Sequence, residues 1–351
     1  MRLIRANVLL IIPPTPVLRA GSTKIMIKTS GNKMLKVGFI GLGNVGGKLA
    51  GSLLRNGIDL TVRDLDRSIA QPFLDGGAKW ADSPCEMAKN VDVLITCLPS
   101  PAASAAVMEA EDGALAGLSK GKIWAEMSTT DKDEILRLGA KVKAVGAEPI
   151  DCPVSGGCHR AATGNIAIFA GCDRAAFETI LPLLTVMGRR VLHTGELGSA
   201  SVLKVVTNYL ATANLLSVCE ALVTAKVAGM DLNTTYEAIR ISSGNSFVHE
   251  TEGQVILNGS RDISFTMDLV CKDIGLFHDV AKRANLKLEL APLFEQIFQE
   301  GQARYGSREL SPNIIRRLEE AAGVEILAPG FPPEMVDDEP EEPGYEVQVR
   351  R

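Results

Sequence analysis

Along the first half of the chain, short apolar runs alternate with stretches of helical periodicity. Leu35–Ile40 is an apolar run that enters Gly41-Leu42-Gly43-Asn44-Val45-Gly46. From Val45 to Arg55, Leu49, Leu53 and Leu54 fall on one face at helical spacing. Gly57 stops that pattern, and Ile58–Val62 predicts a second strand closing on Asp64. Val91–Leu98 (ending at Pro99), Lys122–Glu126, Ile166–Gly171 and Arg190–His193 predict further strands, with Ser128-Thr129-Thr130 a plausible helix cap. Strands alternating with helices predict a doubly wound parallel sheet. After Gly198 the pattern changes. Ser199–Gly229 has no proline and only three charges, Lys204, Glu220 and Lys226. It predicts one helix roughly 45 Å long at 1.5 Å per residue. Helical patterns follow near Thr234–Ser242, Met267–Ala284 and Pro292–Tyr305.

The 351 residues suit two domains. The chain divides into a leader (1–33), a sheet domain (34–195), an all-helical domain (196–310) and a tail (311–351). With 46% apolar and 23% charged residues, disordered and fibrous classes are excluded. The net charge of −5 is unevenly spread. Residues 1–33 carry six basic residues and no acid, the composition of an organelle transit peptide. That predicts a mitochondrial or other organelle matrix location. The alternative is an upstream extension ahead of Met34 and a cytoplasmic protein. Residues 334–346 carry seven acids, and Pro329–Pro343 contains five prolines. This stretch should be extended and solvated, as a tail wrapping its own or a partner subunit. The mildly acidic body argues against nucleic acid.

Seven scattered cysteines without a C-x-x-C predict neither disulfides nor zinc, and four histidines without ligand spacing predict no metal. The longest uncharged run, Val205–Cys219, is 15 residues. That is below the ~18 of a membrane span, so no membrane is expected.

The strand–turn–helix–strand context gives Gly41-x-Gly43-x-x-Gly46 its meaning. Gly41 permits the tight turn, Gly43 lets the backbone approach a pyrophosphate, and Gly46 lets the helix pack on the strand. The helix N-terminus offers free N–H groups to phosphate. Asp64 lies 18 residues after Gly46, where an acid binds the adenosine ribose and repels a 2′-phosphate. NAD is therefore expected, with NADP possible because Arg63 and Arg67 flank Asp64. A glycine-rich turn without a ligand is the alternative. Lys204 and Asn208 share a face of the long apolar helix, with Thr212 beyond them. A lysine there is either a snorkelling surface residue or an ammonium facing a cleft.

Four segments together resemble the 3-hydroxyacid dehydrogenase family, which includes 3-hydroxyisobutyrate dehydrogenase and its glyoxylate and succinic semialdehyde reductase relatives. They are Phe39–Gly46, with Val45 where the family usually has Met; Asp151-Cys152-Pro153-Val154-Ser155-Gly156-Gly157; Gly195-x-x-Gly198 leading to Lys204-x-x-x-Asn208; and Lys272-Asp273 after Phe265–Leu269. The resemblance covers residues 35–310 and implies an α/β fold, an N-terminal Rossmann doubly wound parallel sheet followed by an all-α C-terminal domain. It implies Lys204 as catalytic acid/base. Ser155, Gly156, Gly157 and Asn208 would bind a small carboxylate substrate. Gly41, Leu42, Gly43, Asn44, Val45, Gly46, Asp64, Leu98, Pro99, Thr129 and Lys272 would contact NAD. Ala103 stands where relatives often carry a polar residue, and Asn245 replaces an arginine common in hydroxyisobutyrate enzymes.

The expected activity is an NAD-dependent exchange between a short hydroxyacid, 3-hydroxyisobutyrate-like, and its semialdehyde or oxoacid. The rivals are an NADPH-dependent glyoxylate or succinic semialdehyde reductase and a non-catalytic dinucleotide-binding module. His193 and Asp151 are expected to be structural. The long apolar helix predicts a homodimer or homotetramer.

Overall fold

The computed structural model describes residues 34–350, so the leader and the location drawn from it lie outside the described residues. The strands are β1 (Lys36–Ile40), β2 (Asp59–Arg63), β3 (Lys79–Trp80), β4 (Val93–Thr96), β5 (Ile123–Glu126), β6 (Glu148–Asp151), β7 (Val154–Ser155), β8 (Ala167–Gly171), β9 (Arg190–Gly195) and β10 (Tyr345–Glu346). The sheet-side helices are α1 (Gly46–Arg55), α2 (Gln71–Asp75), α3 (Pro84–Asn90), α4 (Pro101–Glu109), α5 (Lys132–Ala144), α6 (Gly157–Thr163) and α7 (Arg174–Met187). A helical unit follows: α8 (Ser199–Val227), α9 (Leu232–Arg240), α10 (Phe247–Asn258), α11 (Met267–Arg283), α12 (Leu290–Tyr305) and α13 (Arg316–Ala322).

The strands run in the order β10-β9-β8-β6-β5-β4-β1-β2-β3, with β7 beside β8. The sheet is mostly parallel. Alternate residues of its central strands pack into opposite layers, as burial on both faces requires. Val37, Phe39 and Ile95 meet Leu49 and Leu53 of α1 on one side. Ile40, Leu94 and Trp124 meet Met87 and Leu138 on the other. The expected all-parallel sheet breaks at one place: β8 pairs antiparallel with β6 through Asp151 and Gly171, and with β7. The chain reverses after β6 through Pro153 and β7, then turns at Gly156, whose φ of 129° suits glycine.

In the second half, α8 is the spine, packed against α9, α10, α11 and α13. Its Leu215, Cys219 and Leu222 share a core with Ile256, Ile274 and Phe298. By length and composition alone α8 could cross a membrane. Counting only the uncharged run missed this, because Lys204 and Glu220 interrupt it. In the fold, Lys204 is buried and Leu215, Cys219 and Leu222 pack inside the helical core, while Glu220 and Lys226 are exposed.

Four further points differ from expectation. Asp131, not Ser128–Thr130, caps α5, accepting from the backbone N–H groups of Asp133 and Glu134. The segment α10 had no predicted counterpart. The boundary at residue 310 falls inside the helical unit, since Ile314, Ile315 and Ile326 belong to its core. The stretch from Pro329 is extended, yet Asp337, Glu339, Glu342 and Glu346 are paired with basic or amide side chains rather than solvated, and β10 adds a parallel strand beside β9.

Candidate active site

The glycine loop leaves β1 at a site where side chains do not fit. A Cβ on Gly41, at φ 99°, would lie 2.2 Å from the Cys97 carbonyl oxygen, and one on Gly46 would lie 2.0 Å from that of Gly41. Gly43 differs: no atom stands within 4 Å of where its Cβ would be. Among the described residues, no hydrogen bond takes the backbone N–H of Gly43, Asn44 or Val45. Open space bounded by free N–H donors at the start of α1 fits a pyrophosphate. Asp64 lies at the end of β2 and accepts the Leu42 N–H at 2.7 Å, so it fixes the loop. Arg63 is held by the carbonyls of Ala81 and Asp82, and Arg67 lies over the Trp80 ring. Leu98, next to Pro99, donates its N–H to Ser128 Oγ at 2.7 Å, and Ser128 is tied to the buried Glu126. Burial pushes the Glu126 carboxyl above the usual range.

The second half of the site is a side-chain network where α8 meets α11. Lys204 is buried, and its Nζ donates to Asn208 Oδ1 at 2.7 Å. Asn208 Nδ2 donates in turn to Asp273 Oδ2. The other oxygen of Asp273 lies 3.1 Å from Lys272 Nζ, which also donates to the Thr129 carbonyl. The structure thus brings Lys204, Asn208, Lys272 and Thr129 together. Burial in the apolar helix lowers Lys204 to about 8; Asp273 opposes that shift and Lys272 adds to it.

The first turn of α8 is anchored by Asp151 at the end of β6. Its carboxylate accepts the Ser201 N–H at 2.7 Å and the Ser201 hydroxyl at 2.8 Å. Lys204 follows one turn later, and β7, which ends at Ser155, packs against the same helix. Gly156 and Gly157 both have positive φ, and Gly157 is exposed. Burial raises the flanking thiols of Cys152 and Cys158 above the usual range; Cys152 is fully buried and Cys158 half-buried. His193 bonds the Cys172 carbonyl and packs on Phe177, away from the lysine network.

Sequence reasoning missed Asp273 as the link between Asn208 and Lys272; its adjacency to Lys272 in the motif was the available signal. It also missed Glu126, where an acid inside a buried strand was the clue. The contacts of the C-terminal stretch with α6 carried no sequence signal.

A family model described as the NAD binding domain of 6-phosphogluconate dehydrogenase matches residues 36–195. One described as NAD-binding of NADP-dependent 3-hydroxyisobutyrate dehydrogenase matches residues 198–318. The 2-(hydroxymethyl)glutarate dehydrogenase of Eubacterium barkeri is 32% identical over 84% of this chain and 98% of its own. The mitochondrial 3-hydroxyisobutyrate dehydrogenase of Rattus norvegicus is 29% identical over 86% of this chain and 92% of its own. The solved 3-hydroxyisobutyrate dehydrogenase of Salmonella typhimurium superposes with a TM-score of 0.74 at 29% identity, covering 81% of this chain and 99% of that one. Fold and matches define an NAD(P)-dependent oxidoreductase acting on a CH–OH group. Within that class, the chain belongs to the 3-hydroxyisobutyrate dehydrogenase family.

Proposed function

We propose that this enzyme prefers NAD and interconverts a short 3-hydroxyacid, 3-hydroxyisobutyrate-like, and its semialdehyde or oxoacid, with Lys204 as general acid/base. The observation that carries the reading is the buried Lys204, held by Asn208 and set to about 8. The nicotinamide cofactor supplies the hydride chemistry. It would lie along Gly41, Leu42, Gly43, Asn44, Val45 and Gly46, with Asp64 at its ribose and Leu98, Pro99 and Thr129 near its ring. In oxidation, neutral Lys204 Nζ takes the proton of the substrate hydroxyl. In reduction, the ammonium returns it to the carbonyl oxygen. Lysine normally titrates near ~10.4 and would be a poor base near neutrality. The lowered value makes both directions accessible. Asn208 aims the amine and Asp273 fixes Asn208. Lys272, 3.1 Å from Asp273, keeps the second cation close to Lys204. The backbone of Ser155, Gly156 and Gly157, with Asn208 beside it, binds the substrate carboxylate.

NAD preference rests on Asp64, which already accepts from Leu42 and would meet a 2′-phosphate with like charge. The NADPH-dependent glyoxylate or succinic semialdehyde reductase reading rests on Arg63 and Arg67 beside it. Steady-state kinetics over a hydroxyacid panel with NAD and NADP should give a kcat/KM ratio in favour of NAD. A strong NADP preference overturns that assignment, and tight cofactor binding without turnover on any acid would support a non-catalytic module. The enzyme works as a homodimer or homotetramer. Leu203 and Leu210 on α8 are 38% and 53% exposed in the single chain, an apolar face that a second copy would cover. A monomer in sedimentation at micromolar concentration contradicts this.

A further inference from the structure

The C-terminal stretch from Pro329 to Glu346 runs from the helical unit across α6 to the free edge of the sheet. Asn233 Nδ2 and Asn258 Nδ2 donate to the carbonyls of Pro329 and Phe331, and the Phe331 ring packs edge-on against Tyr236. Farther along, a Cβ on Gly157 would meet the His159 ring at 2.8 Å and, beyond it, the Met335 methyl at 3.7 Å. Asp337, whose side chain is only 2% exposed, accepts from Asn165 Nδ2 at 2.7 Å and from the Thr163 hydroxyl. Glu339 accepts from Arg160 Nη2 at 2.9 Å and from Arg190 Nη1 at 3.0 Å, and its carbonyl takes a second Asn165 bond. Beyond it, Arg189 and Arg174 hold Glu342 and Glu346, and Val347 N–H joins the β9 ladder. On its other side α6 meets the helical unit: Arg160 lies over the Phe247 ring at 4.7 Å, and His159 stacks on that ring. The short helix that follows Gly156-Gly157 is therefore gripped from two sides, and one of the grips is this acidic strap. The family model for the second half ends at residue 318, short of the strap.

We propose that the strap is a positioning and specificity element of the substrate loop. Asp337 and Glu339 hold α6 in register, and Met335, together with the His159 ring, narrows the space beside Gly157 against bulkier hydroxyacids. The proposal rests on the reading that Ser155–Gly157 binds the substrate carboxylate. Neither acid touches the cofactor loop, so they are positioning residues that act through α6.

The test uses the full-length enzyme with three acids, 3-hydroxyisobutyrate, glycerate and 2-(hydroxymethyl)glutarate, together with 3-hydroxyisobutyramide. In the Asp337→Ala/Glu339→Ala double variant, KM for the best acid should rise roughly tenfold or more, with kcat and NAD affinity little changed, because small displacements of a binding group are costly. Asp337→Asn, which keeps an acceptor for Thr163 and Asn165, should recover much of the loss. Met335→Gly, which leaves the acids in place and serves if the double variant fails to fold, should improve kcat/KM for the bulkier 2-(hydroxymethyl)glutarate relative to glycerate. Wild-type KM in a folded double variant overturns the positioning role, and unchanged acid preference in Met335→Gly overturns the specificity role. Failure of the loop reading looks different: the wild-type enzyme would then turn over the amide as readily as the acid.

Discussion

Two stretches of the site are built by opposite means. The loop from Gly41 to Gly46 is shaped by absent side chains: backbone crosses backbone at distances that exclude a Cβ, and its open centre is lined by N–H groups. Its shape depends chiefly on neighbours in the sheet domain, the Cys97 carbonyl and the Asp64 carboxylate, although Asn44 also reaches the Ser264 carbonyl of the helical unit. The lysine network is shaped by side chains that are present. Lys204 depends on Asn208 one turn away, on Asp273 from another helix, and on Lys272, which reaches back to the Thr129 carbonyl after β5. Where backbone crosses backbone, such a cradle tolerates almost no change in residue size, and its N–H groups carry no titratable charge. A side-chain network tolerates substitution in shape but responds to every change in charge.

The comparison can be broken most strongly at Lys204. Lys204→Ala should keep its fold and its NAD affinity and lose ~10²–10⁴ in kcat, the usual worth of general acid–base help. Full turnover in a folded variant would remove the lysine from the mechanism. Next come the glycines, which should separate from each other. Gly41→Ala faces both a positive φ and a carbonyl oxygen at 2.2 Å, so a loss of at least ~1–3 kcal/mol in thermal or urea unfolding is expected. Gly43→Ala has open space and should stay within about 0.5 kcal/mol of the parent. Its deficit should appear in calorimetric titration with NAD, where the methyl group occupies the room left for phosphate. Equal destabilisation by the two changes would contradict the geometry.

The smallest effects are the most specific to charge. In the oxidation direction kcat/KM should climb with pH and level off above about 8, as Lys204 loses its proton. Asp273→Asn removes the charge that favours the ammonium, so that rise should move to lower pH by up to about one unit. Lys272→Met removes a like charge and should move it the other way. Shifts of the same sign would show that the profile belongs to another group.

The same contrast explains what was legible in the sequence. Gly41, Gly43 and Gly46 occur within six residues, and their requirement is local, so spacing and the surrounding strand–helix pattern were enough. The strands β1, β4 and β5 were legible for a similar reason: runs buried on both faces need no distant partner to be read, and β2 shows the equally local alternation of buried Leu60 and Val62 with half-buried polar neighbours. Lys204 with Asn208 was half legible. Helical spacing put them on one face, but snorkelling and burial look alike until α11 supplies Asp273. The strap was read as solvated because acids among prolines usually are. Their partners, Arg160, Asn165 and Arg190, stand about 150 to 180 residues earlier in the chain. The helix α10 escaped because its buried side includes His249 and Gly253 and so lacks a clean apolar stripe.

The cap of α8 by Asp151 has a mechanical consequence. The helix starts inside the sheet domain, its first turn bonded to the end of β6 and packed on β8, and it ends as the centre of the helical core. One unbroken helix of 29 residues therefore belongs to both halves, like a beam set into two walls. Loosening either wall frees the beam in the other, so the halves should not melt independently. Heating should give one calorimetric transition, and removing the cap with Asp151→Ala should lower that single transition rather than split it.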